Sequence, residues 1–279
     1  MAAPEFVAVG HITLDRFGDV VRPGGAALYT AVTAHRLGLS AGILTSHGDD
    51  FPLEVIPPQI EVVSVPAGDT TLFEHDAREE ERTMRVLAAA EGLGVDDLPE
   101  DWRDATMAML APVVDEVDER VAAGFSEASI GAQAQGWLRA LASDGTVGTR
   151  PWPSPAVLLG RLQALFLSAE DVRGQEAAVL EWMQLVPVGV VTAGRRGALL
   201  YVNGERYDVR PRPARLVDAT GAGDVFAAAF LVEYHRHGDP WEAAEAATCA
   251  ASLSVEGEGW SAVPDVDTLA AALKDYRKI

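Results

Sequence analysis

The chain has 279 residues, of which 48% are hydrophobic and 23% are charged, and its formal net charge at pH 7 is −20. These proportions are ordinary for a globular protein, and the acidic balance argues against nucleic acid as a partner, because phosphate backbones bind basic surfaces. No apolar run reaches the roughly 20 residues that cross a bilayer, and the first residues lack the basic and apolar regions of a secretory signal. We therefore expect a cytoplasmic protein that partners with neither nucleic acid nor membrane.

Two residue types are scarce enough to narrow the chemistry. Cys249 is the only cysteine, which excludes an internal disulfide and a cysteine-based zinc site. The only lysines are Lys274 and Lys278, close to the C-terminus. A Walker A loop needs a lysine after its glycine, a protein kinase needs one on its third strand, and Schiff-base chemistry needs a reactive lysine. The two C-terminal lysines therefore argue against all three. Any bound phosphate must then be held by backbone N–H groups, arginine or a metal.

The first fifty residues predict a βαβ unit with an insertion after its first strand. Residues 6–10 form an apolar run that ends at a glycine, and residues 41–45 form a second one. Between them, residues 26–37 have helical spacing, with Gly38 as a plausible C-terminal cap. Short β-like runs then follow between residues 61 and 86, interrupted by the acidic residues 79–81. We expect a small β lid built from about residues 12–23 and 61–88.

The remainder alternates helix and strand signals. Strands are predicted at 105–110, 127–130, 165–168, 188–192 and 198–202, and helices at 136–141, 175–186, 224–237, from 240 onward and at 267–276. Asp239 and Pro240 form a strong helix start, because aspartate caps the first amides and proline suits the first turn. The alternation predicts a single α/β domain over residues 1–279, with a mainly parallel central sheet and helices on both faces.

The segment 218–224, Asp-Ala-Thr-Gly-Ala-Gly-Asp, carries the strongest chemical signal. Its two glycines precede Asp224, which opens a long apolar-periodic run. A helix start offers unpaired N–H groups and a partial positive charge to an anion, and Asp224 would take a proton from a hydroxyl there. Asp218 and Thr220 add oxygen atoms that suit a cation. Alone, the same pattern also fits a glycine turn with Asp224 as a helix cap.

The chain resembles the ribokinase-like (PfkB) carbohydrate kinase family over nearly its whole length, and residues 218–224 look like its C-terminal signature. The resemblance implies a three-layer sandwich that uses ATP and Mg²⁺, with Asp224 as catalytic base. It also implies a monovalent cation, such as K⁺, at Asp218 and Thr220. The anion hole for the transferred phosphoryl group would be formed by the amides of Gly221, Ala222 and Gly223.

The N-terminal half resembles the family's substrate site. Asp15 matches its substrate-binding aspartate, and Gly24 and Gly25 match its diglycine motif, which lets a polyol approach the backbone. Asp15 also fits an exposed loop acid, and the glycines fit a helix-entry turn. The family's frequent asparagine is absent around residues 28–30, which puts the usual furanose contacts in doubt.

The nucleotide-binding residues implied by the resemblance lie in two further segments. Ser168 and Asp171 match a motif that the family usually writes Asn-x-x-Glu, with both side chains shortened here. Thr192, Gly194 and Gly197 match the family's nucleotide loop. The alternatives are a strand-to-helix turn capped by Ser168 and a β-hairpin turn at 193–197.

Three shorter segments, 70–74, 81–87 and 133–139, look like the inositol kinase branch of the family, and they add Thr71, Phe73 and Gln135 as substrate-binding residues. For Gln135 a plain loop amide is an equally good interpretation. We predict an ATP-dependent kinase for a small-molecule sugar or cyclitol, with myo-inositol first, and a homodimer through the lid is compatible with this reading. The alternatives are a nucleoside kinase, with an aromatic base-stacking pocket in the lid, and a non-catalytic metabolite sensor.

Overall fold

A computed structural model of the protein describes residues 3–76, 83–153 and 155–278. Within these residues, six α-helices are present: α1 (Ala26–Arg36), α2 (Ala156–Leu159), α3 (Glu176–Trp182), α4 (Ala222–His237), α5 (Pro240–Ser254) and α6 (Val266–Tyr276). The fifteen strands in the same residues are β1 (Phe6–Val9), β2 (Thr13–Phe17), β3 (Val20–Gly24), β4 (Ala41–His47), β5 (Glu61–Pro66), β6 (Thr71–Asp76), β7 (Thr83–Ala88), β8 (Met107–Leu110), β9 (Ser129–Gln133), β10 (Arg139–Leu141), β11 (Val147–Thr149), β12 (Ala164–Ser168), β13 (Val188–Thr192), β14 (Ala198–Val202) and β15 (Glu205–Val209).

The central sheet has the strand order β15-β14-β13-β12-β9-β8-β1-β4-β5. Its pairings are parallel from β13 to β5, whereas β14 and β15 are antiparallel additions at one edge. Strand β1 is buried along its whole length, as expected of a parallel strand covered on both faces. The predicted α/β sandwich with a mainly parallel sheet and helices on both faces is confirmed.

Two apolar cores cover the two faces of the sheet. One core packs α1, α4 and α5 against the strands, and Phe166 and Phe230 meet edge-to-face within it at 5.5 Å. The other is built around Trp137, Trp152 and Trp182, and Trp137 and Trp152 stack at 5.1 Å. The two cores hold the carboxyl ends of the parallel strands rigidly, and the predicted site residues cluster at that edge.

A second sheet, here called the small sheet, has the order β3-β2-β6-β7. It leaves the core after β1 and again after β5, as an insertion after the first strand predicts. One part of the lid prediction is wrong. Residues 61–66 form β5, which pairs in parallel with β4 at the edge of the central sheet. The predicted acidic separator, 79–81, lies outside the described residues.

Some local predictions also differ from the structure. Residues 136–141 form no helix: the Gly136 amide donates to the Pro112 carbonyl, and β10 pairs with β11 instead. A side chain at position 136 would lie 2.4 Å from the Pro112 backbone, so tertiary packing overrides the local helical pattern. The helix predicted over residues 175–186 is shorter in the structure, where it forms α3 (Glu176–Trp182). Among the described residues, no helix has the length and apolar character needed to span a membrane.

Candidate active site

The loop before α4 has the geometry of an anion-binding helix start. Gly221 has φ +73°, and a Cβ there would lie 2.2 Å from the Tyr29 ring, so both conformation and space require glycine. The first amides of a helix lack intrahelical acceptors. Of the three predicted anion-hole amides, Ala222 makes a long bond of 3.3 Å to the Ala219 carbonyl, and Gly223 is exposed. Asp224 follows in the first turn.

The pKa of the Asp224 carboxyl lies near neutral pH. Burial, helped by the carboxylates of Asp15 and Asp171, raises its pKa to about 7, and the Arg139 guanidinium opposes the shift. A general base works best when its pKa lies near the operating pH. Burial and the carboxylates of Asp218, Asp224 and Asp15 raise the pKa of the Tyr29 hydroxyl, which therefore stays protonated. A carboxyl with this pKa can accept a proton near neutral pH.

Asp15 is buried in a cluster of polar groups on the small sheet, here called the Asp15 cluster. Its Oδ1 is 2.8 Å from His75 Nε2, and its Oδ2 accepts from the Thr13 hydroxyl at 3.1 Å. A Cβ on Gly24 would lie 2.2 Å from Asp15 Oδ2. Gly25 has φ +103°, and a Cβ there would lie 2.5 Å from the His11 carbonyl. The diglycine therefore lets the backbone pass close to Asp15.

Thr71 and Phe73, two predicted substrate residues, are buried behind other contacts. His11 Nε2 is 2.8 Å from the Glu91 carbonyl, so this nitrogen carries the proton, and the Thr71 hydroxyl donates to Nδ1 at 2.7 Å. Thr71 also accepts from the Ala90 amide. Phe73 is 3% exposed. Both residues support the small sheet in this structure.

Gln135 and Asp171, predicted to bind different substrates, lie together. Gln135 Nε2 is 3.4 Å from Asp171 Oδ2. Burial raises the pKa of Asp171, and the Arg139 guanidinium and Gln135 oppose that shift. Ser168 accepts from the Glu170 amide at 3.2 Å, as expected for a turn after β12. The turn alternative for Ser168 therefore describes its local role.

The nucleotide loop predicted at Thr192, Gly194 and Gly197 is the hairpin between β13 and β14. Gly194 has φ +55° and Gly197 has φ +87°, so both glycines are needed for the turn. The Thr192 hydroxyl donates to the Leu167 carbonyl at 3.2 Å. The hairpin alternative is thus the correct local description, and it places the predicted residues at the cavity described next.

An apolar cavity of about 490 Å³ opens beside the α4 start. Its apolar walls are Pro211, Pro213, Leu216, Phe226 and Val255, and its polar end is formed by Thr192, Gly194 and Gly223. Arg195 and Arg212 also line it. Apolar walls with a few convergent polar groups are typical of small-molecule sites. The cavity suits a flat ring with an anionic tail directed at the α4 amides.

The predicted cation-binding residues are Asp218 and Thr220, and the Asp218 carboxylate already accepts hydrogen bonds from backbone amides, including that of Thr220. Asp218 Oδ1 accepts from the Thr220 amide at 2.9 Å, and Oδ2 accepts from the Gly259 amide at 3.2 Å. Burial opposes the charged form, but these amides and Arg22 keep the pKa of Asp218 below its usual value. Arg22 Nη1 lies 3.7 Å from Asp218. Among the described residues, no cluster of three or more His, Cys, Asp or Glu side chains has metal-site geometry.

Two residues at this edge were not among the predicted site residues. His75 pairs with Asp15, and Phe17 stacks on His75 at 4.5 Å. Burial lowers the pKa of the Arg139 guanidinium, and the nearby carboxylates, Asp171 and Asp224 among them, oppose that shift. The available signal for Arg139 is the lysine shortage, which leaves arginine to supply positive charge.

Residues 161–266 match the family model described as "pfkB family carbohydrate kinase". A cytidine kinase from Thermococcus kodakarensis is 29% identical in an alignment covering 85% of this chain and 91% of the relative. The C-terminal part of the chain is thus similar to the pfkB carbohydrate kinase family. This kinase is therefore a phosphotransferase, and at the level that the comparisons resolve it is a sugar or nucleoside kinase.

Solved structures share the fold of this kinase over nearly its whole length. One is a pyrophosphate-dependent kinase of the ribokinase family in complex with a pyrophosphate analogue and myo-inositol, 20% identical, with TM-score 0.80 over 96% of this chain and 99% of that one. Another is Arabidopsis thaliana ribokinase in complex with ribose and ATP, 21% identical, with TM-score 0.75 over 98% and 99%. The ribokinase-like fold predicted from the sequence is confirmed.

Proposed function

We propose that this kinase transfers the γ-phosphate of ATP to a hydroxyl of a sugar or cyclitol, with Asp224 as general base. The observation that carries the proposal is the position of Asp224. It lies in the first turn of α4, its pKa is about 7, and it interacts with both Asp15 and Asp171. Phosphoryl transfer needs little covalent work from the protein and much positioning and charge stabilisation. The amides of Gly221, Ala222 and Gly223 supply the anion hole.

In the proposed mechanism the acceptor is held by Asp15, whose carboxylate accepts two hydroxyl hydrogen bonds. Gly24 and Gly25 leave space for the ring against the backbone. Asp224 accepts the proton of the attacking hydroxyl, and the α4 amides hold the phosphoryl oxygens. Mg²⁺, when bound with the donor, would supply positive charge to the donor phosphates. Asp171, and Ser168 at the end of β12, are the residues suited to order it, while a K⁺ role for Asp218 and Thr220 remains a prediction.

The apolar cavity supports ATP as the donor. The relative crystallised with a pyrophosphate analogue is named as pyrophosphate-dependent, and pyrophosphate needs no apolar wall. Here Leu216, Phe226 and Val255 line a cavity of about 490 Å³ next to Gly223. Burying an aromatic base against such walls contributes roughly 25 cal/mol per Å² of apolar area. We therefore expect ATP to be preferred over pyrophosphate.

The acceptor site favours a neutral polyol, with myo-inositol as the first candidate. Asp15, Asp171 and Asp224 outnumber the facing Arg139, so an anionic acceptor would be repelled. Two aromatic rings on the small sheet already have partners: Phe17 stacks on His75, and the Arg139 guanidinium carbon lies 5.6 Å from the centroid of Phe73. This leaves hydrogen-bonding groups, rather than free aromatic faces, around the acceptor.

A nucleoside acceptor is the second candidate, and one observation favours it. The small sheet carries the aromatic pair Phe17 and His75, and Phe17 is 37% exposed. The cytidine kinase relative has the higher sequence identity among the proteins compared above. If the pair separates on binding, a base would stack between the rings. The non-catalytic sensor has less support, because Asp224 and the glycines before it are intact, although Ser168 and Asp171 depart from the family motif.

The small sheet also supports the predicted homodimer. Phe17, Val20, Val21 and Leu87 expose between 37% and 50% of their surface on it, and paired apolar surface would be buried in a dimer. Light scattering of the protein, with Val21→Glu as the disrupting variant, tests this arrangement. A monomeric mass at micromolar concentration would contradict it.

An ATP-consumption screen tests the proposed function. The acceptors are myo-inositol, ribose, fructose, cytidine, uridine and adenosine, and the donors are ATP and pyrophosphate. We expect turnover with ATP and a polyol, and its loss in Asp224→Asn. Preference for cytidine would select the second candidate. Ligand-induced thermal stabilisation without any turnover would support the sensor and contradict the kinase.

A further inference from the structure

Arg139 is held at the active site by two contacts that leave most of its guanidinium uncommitted. It is the first residue of β10, and its Nη1 donates to the Val113 carbonyl at 2.8 Å. The guanidinium carbon lies 5.6 Å from the centroid of the Phe73 ring. Such stacking orients the planar group without using its N–H donors. The backbone is fixed as well, because the Arg150 amide donates to the Leu138 carbonyl.

Four carboxylates are near enough to stabilise the charge of Arg139 against the effect of burial, those of Asp171, Glu116, Asp224 and Asp15. Glu116 already has its own donors, since the amides of His11, Val113 and Val114 donate to it at 2.7–3.0 Å. The other three belong to the proposed reaction site. Among the described residues, Arg139 makes no ion pair within 4.0 Å. Of its five N–H donors, one is accounted for in that part of the chain.

The three remaining carboxylates mark a particular location. Asp171 follows β12 and is one of the residues proposed to act on the donor side. Asp15 belongs to the Asp15 cluster, which is proposed to hold the acceptor, and Asp224 lies in the first turn of α4. Contacts bring Arg139 to this location: its guanidinium stacks on Phe73, which pairs with Asp15 across β2 and β6, and Gln135, in the same turn before β10, lies 3.4 Å from Asp171. Under the proposed function the phosphoryl group is transferred among these carboxylates. The other arginines described near the donor, Arg195 and Arg212, line the apolar cavity instead. The lysines lie at positions 274 and 278, on and just after α6.

We propose that Arg139 is a catalytic residue whose free guanidinium N–H groups donate to the oxygens of the phosphoryl group in transit. This inference rests on the proposed function. As the acceptor oxygen forms its bond to phosphorus, the bond from phosphorus to the donor's bridging oxygen breaks. The electron pair leaves with the donor diphosphate, and the hydroxyl proton passes to Asp224. Arg139 keeps its own protons and stabilises the charge that develops on the equatorial oxygens.

The test compares Arg139→Met with Arg139→Lys, with Arg161→Met as a matched control at an exposed arginine. Loss of one preorganised donor costs on the order of 100-fold or more in kcat. We expect that loss in Arg139→Met on the alkaline plateau of each variant's own pH–rate profile, where Asp224 is ionised, and partial recovery in Arg139→Lys. Acceptor affinity measured calorimetrically without donor should change by less than about threefold, since binding in the ground state is not the proposed role. Guanidinium ion should partly restore Arg139→Ala.

A second readout keeps the inference separate from the proposed function. Wild-type protein with ADP and aluminium fluoride should gain thermal stability beyond ADP alone, and Arg139→Met should lose that extra gain while keeping the ADP effect. This can be measured whether or not an acceptor is turned over. Unchanged kcat and an unchanged fluoride effect would overturn the inference, as would weaker acceptor binding with kcat intact. Absence of turnover in wild type with a fluoride effect that depends on Arg139 would overturn only the proposed function.

Discussion

Replacing Asp224 by Asn separates the proposed catalytic role of this residue from its effect on folding. The pKa of Asp224 is raised from 3.8 to about 7, first by burial and then by the carboxylates of Asp15 and Asp171. Between these two pH values the folded protein keeps a proton that the unfolded chain releases. The associated stability is fully present below about pH 3.8 and is lost as the pH rises through about 7.

The size of the effect follows from the shift. Each pH unit between the folded and unfolded pKa corresponds to about 1.4 kcal/mol, so ionising Asp224 costs the folded protein up to about 4 kcal/mol at pH 8. Asparagine carries no such charge. The gain is reduced by roughly 0.3–1 kcal/mol, because a carboxylate near the start of α4 interacts favourably with the helix dipole. We expect Asp224→Asn to be more stable than wild type at pH 8 by a few kcal/mol, with little difference at pH 4.

Urea unfolding at pH 4, 6 and 8 measures the stability, and a coupled ATP assay measures turnover. The variant should lose on the order of 100-fold or more in kcat, the contribution of a general base, while it becomes more stable. Wild-type kcat/KM should fall about tenfold per unit below pH 7. The reasoning is refuted if the variant is less stable at pH 8, or equally stabilised at pH 4 and pH 8. Near-normal kcat in the variant would refute the base assignment.

Three further predictions follow from individual contacts. Gly25→Ala should destabilise the protein by roughly 1–3 kcal/mol, because φ is +103° and the new Cβ meets the His11 carbonyl. Gly68→Ala, at an open position, is the control in thermal unfolding, and equal effects would contradict the strain argument. Ala251 also lines the apolar cavity, so Ala251→Phe should fill it and raise the KM for ATP; an unchanged KM would place the base elsewhere. Arg22 lies beside Asp218, so Arg22→Ala should make kcat more dependent on K⁺ than it is in wild type, and an equal dependence in titrations of both proteins would contradict this.

The parts of the fold that could be predicted are those whose signals are local. Strand β1 is a continuous apolar run, and α5 begins where Asp239 caps it, accepting from the Trp241 and Glu242 amides. Helix α4 ends at Gly238, which has φ +70°. Each of these follows from burial periodicity or from end chemistry that involves neighbours in sequence.

The parts that could not be predicted depend on distant partners. Residues 61–66 look like lid strands in isolation, and only their pairing with β4 assigns them to the central sheet. Strand β15 is mostly exposed, so it carries little apolar alternation. Residues 136–141 have a helical pattern but pack against Pro112.

The candidate site shows the same division. The glycines and Asp224 lie in one contiguous motif, which the sequence alone makes visible. Arg139 and His75 become site residues only because β10 and β6 bring them to Asp171 and Asp15. Their partners are 32 or more positions away in the chain, so no local spacing rule connects them.

The most direct test of the central claim is identification of the phosphorylated product. Wild-type protein and Asp224→Asn are incubated with γ-labelled ATP, Mg²⁺ and each acceptor of the panel, and the products are separated and characterised by NMR. The proposed function predicts one polyol or nucleoside that carries the label on a hydroxyl oxygen with wild type and no labelled acceptor with the variant. Label transfer that persists in the variant, or that reaches no acceptor in wild type, would contradict it.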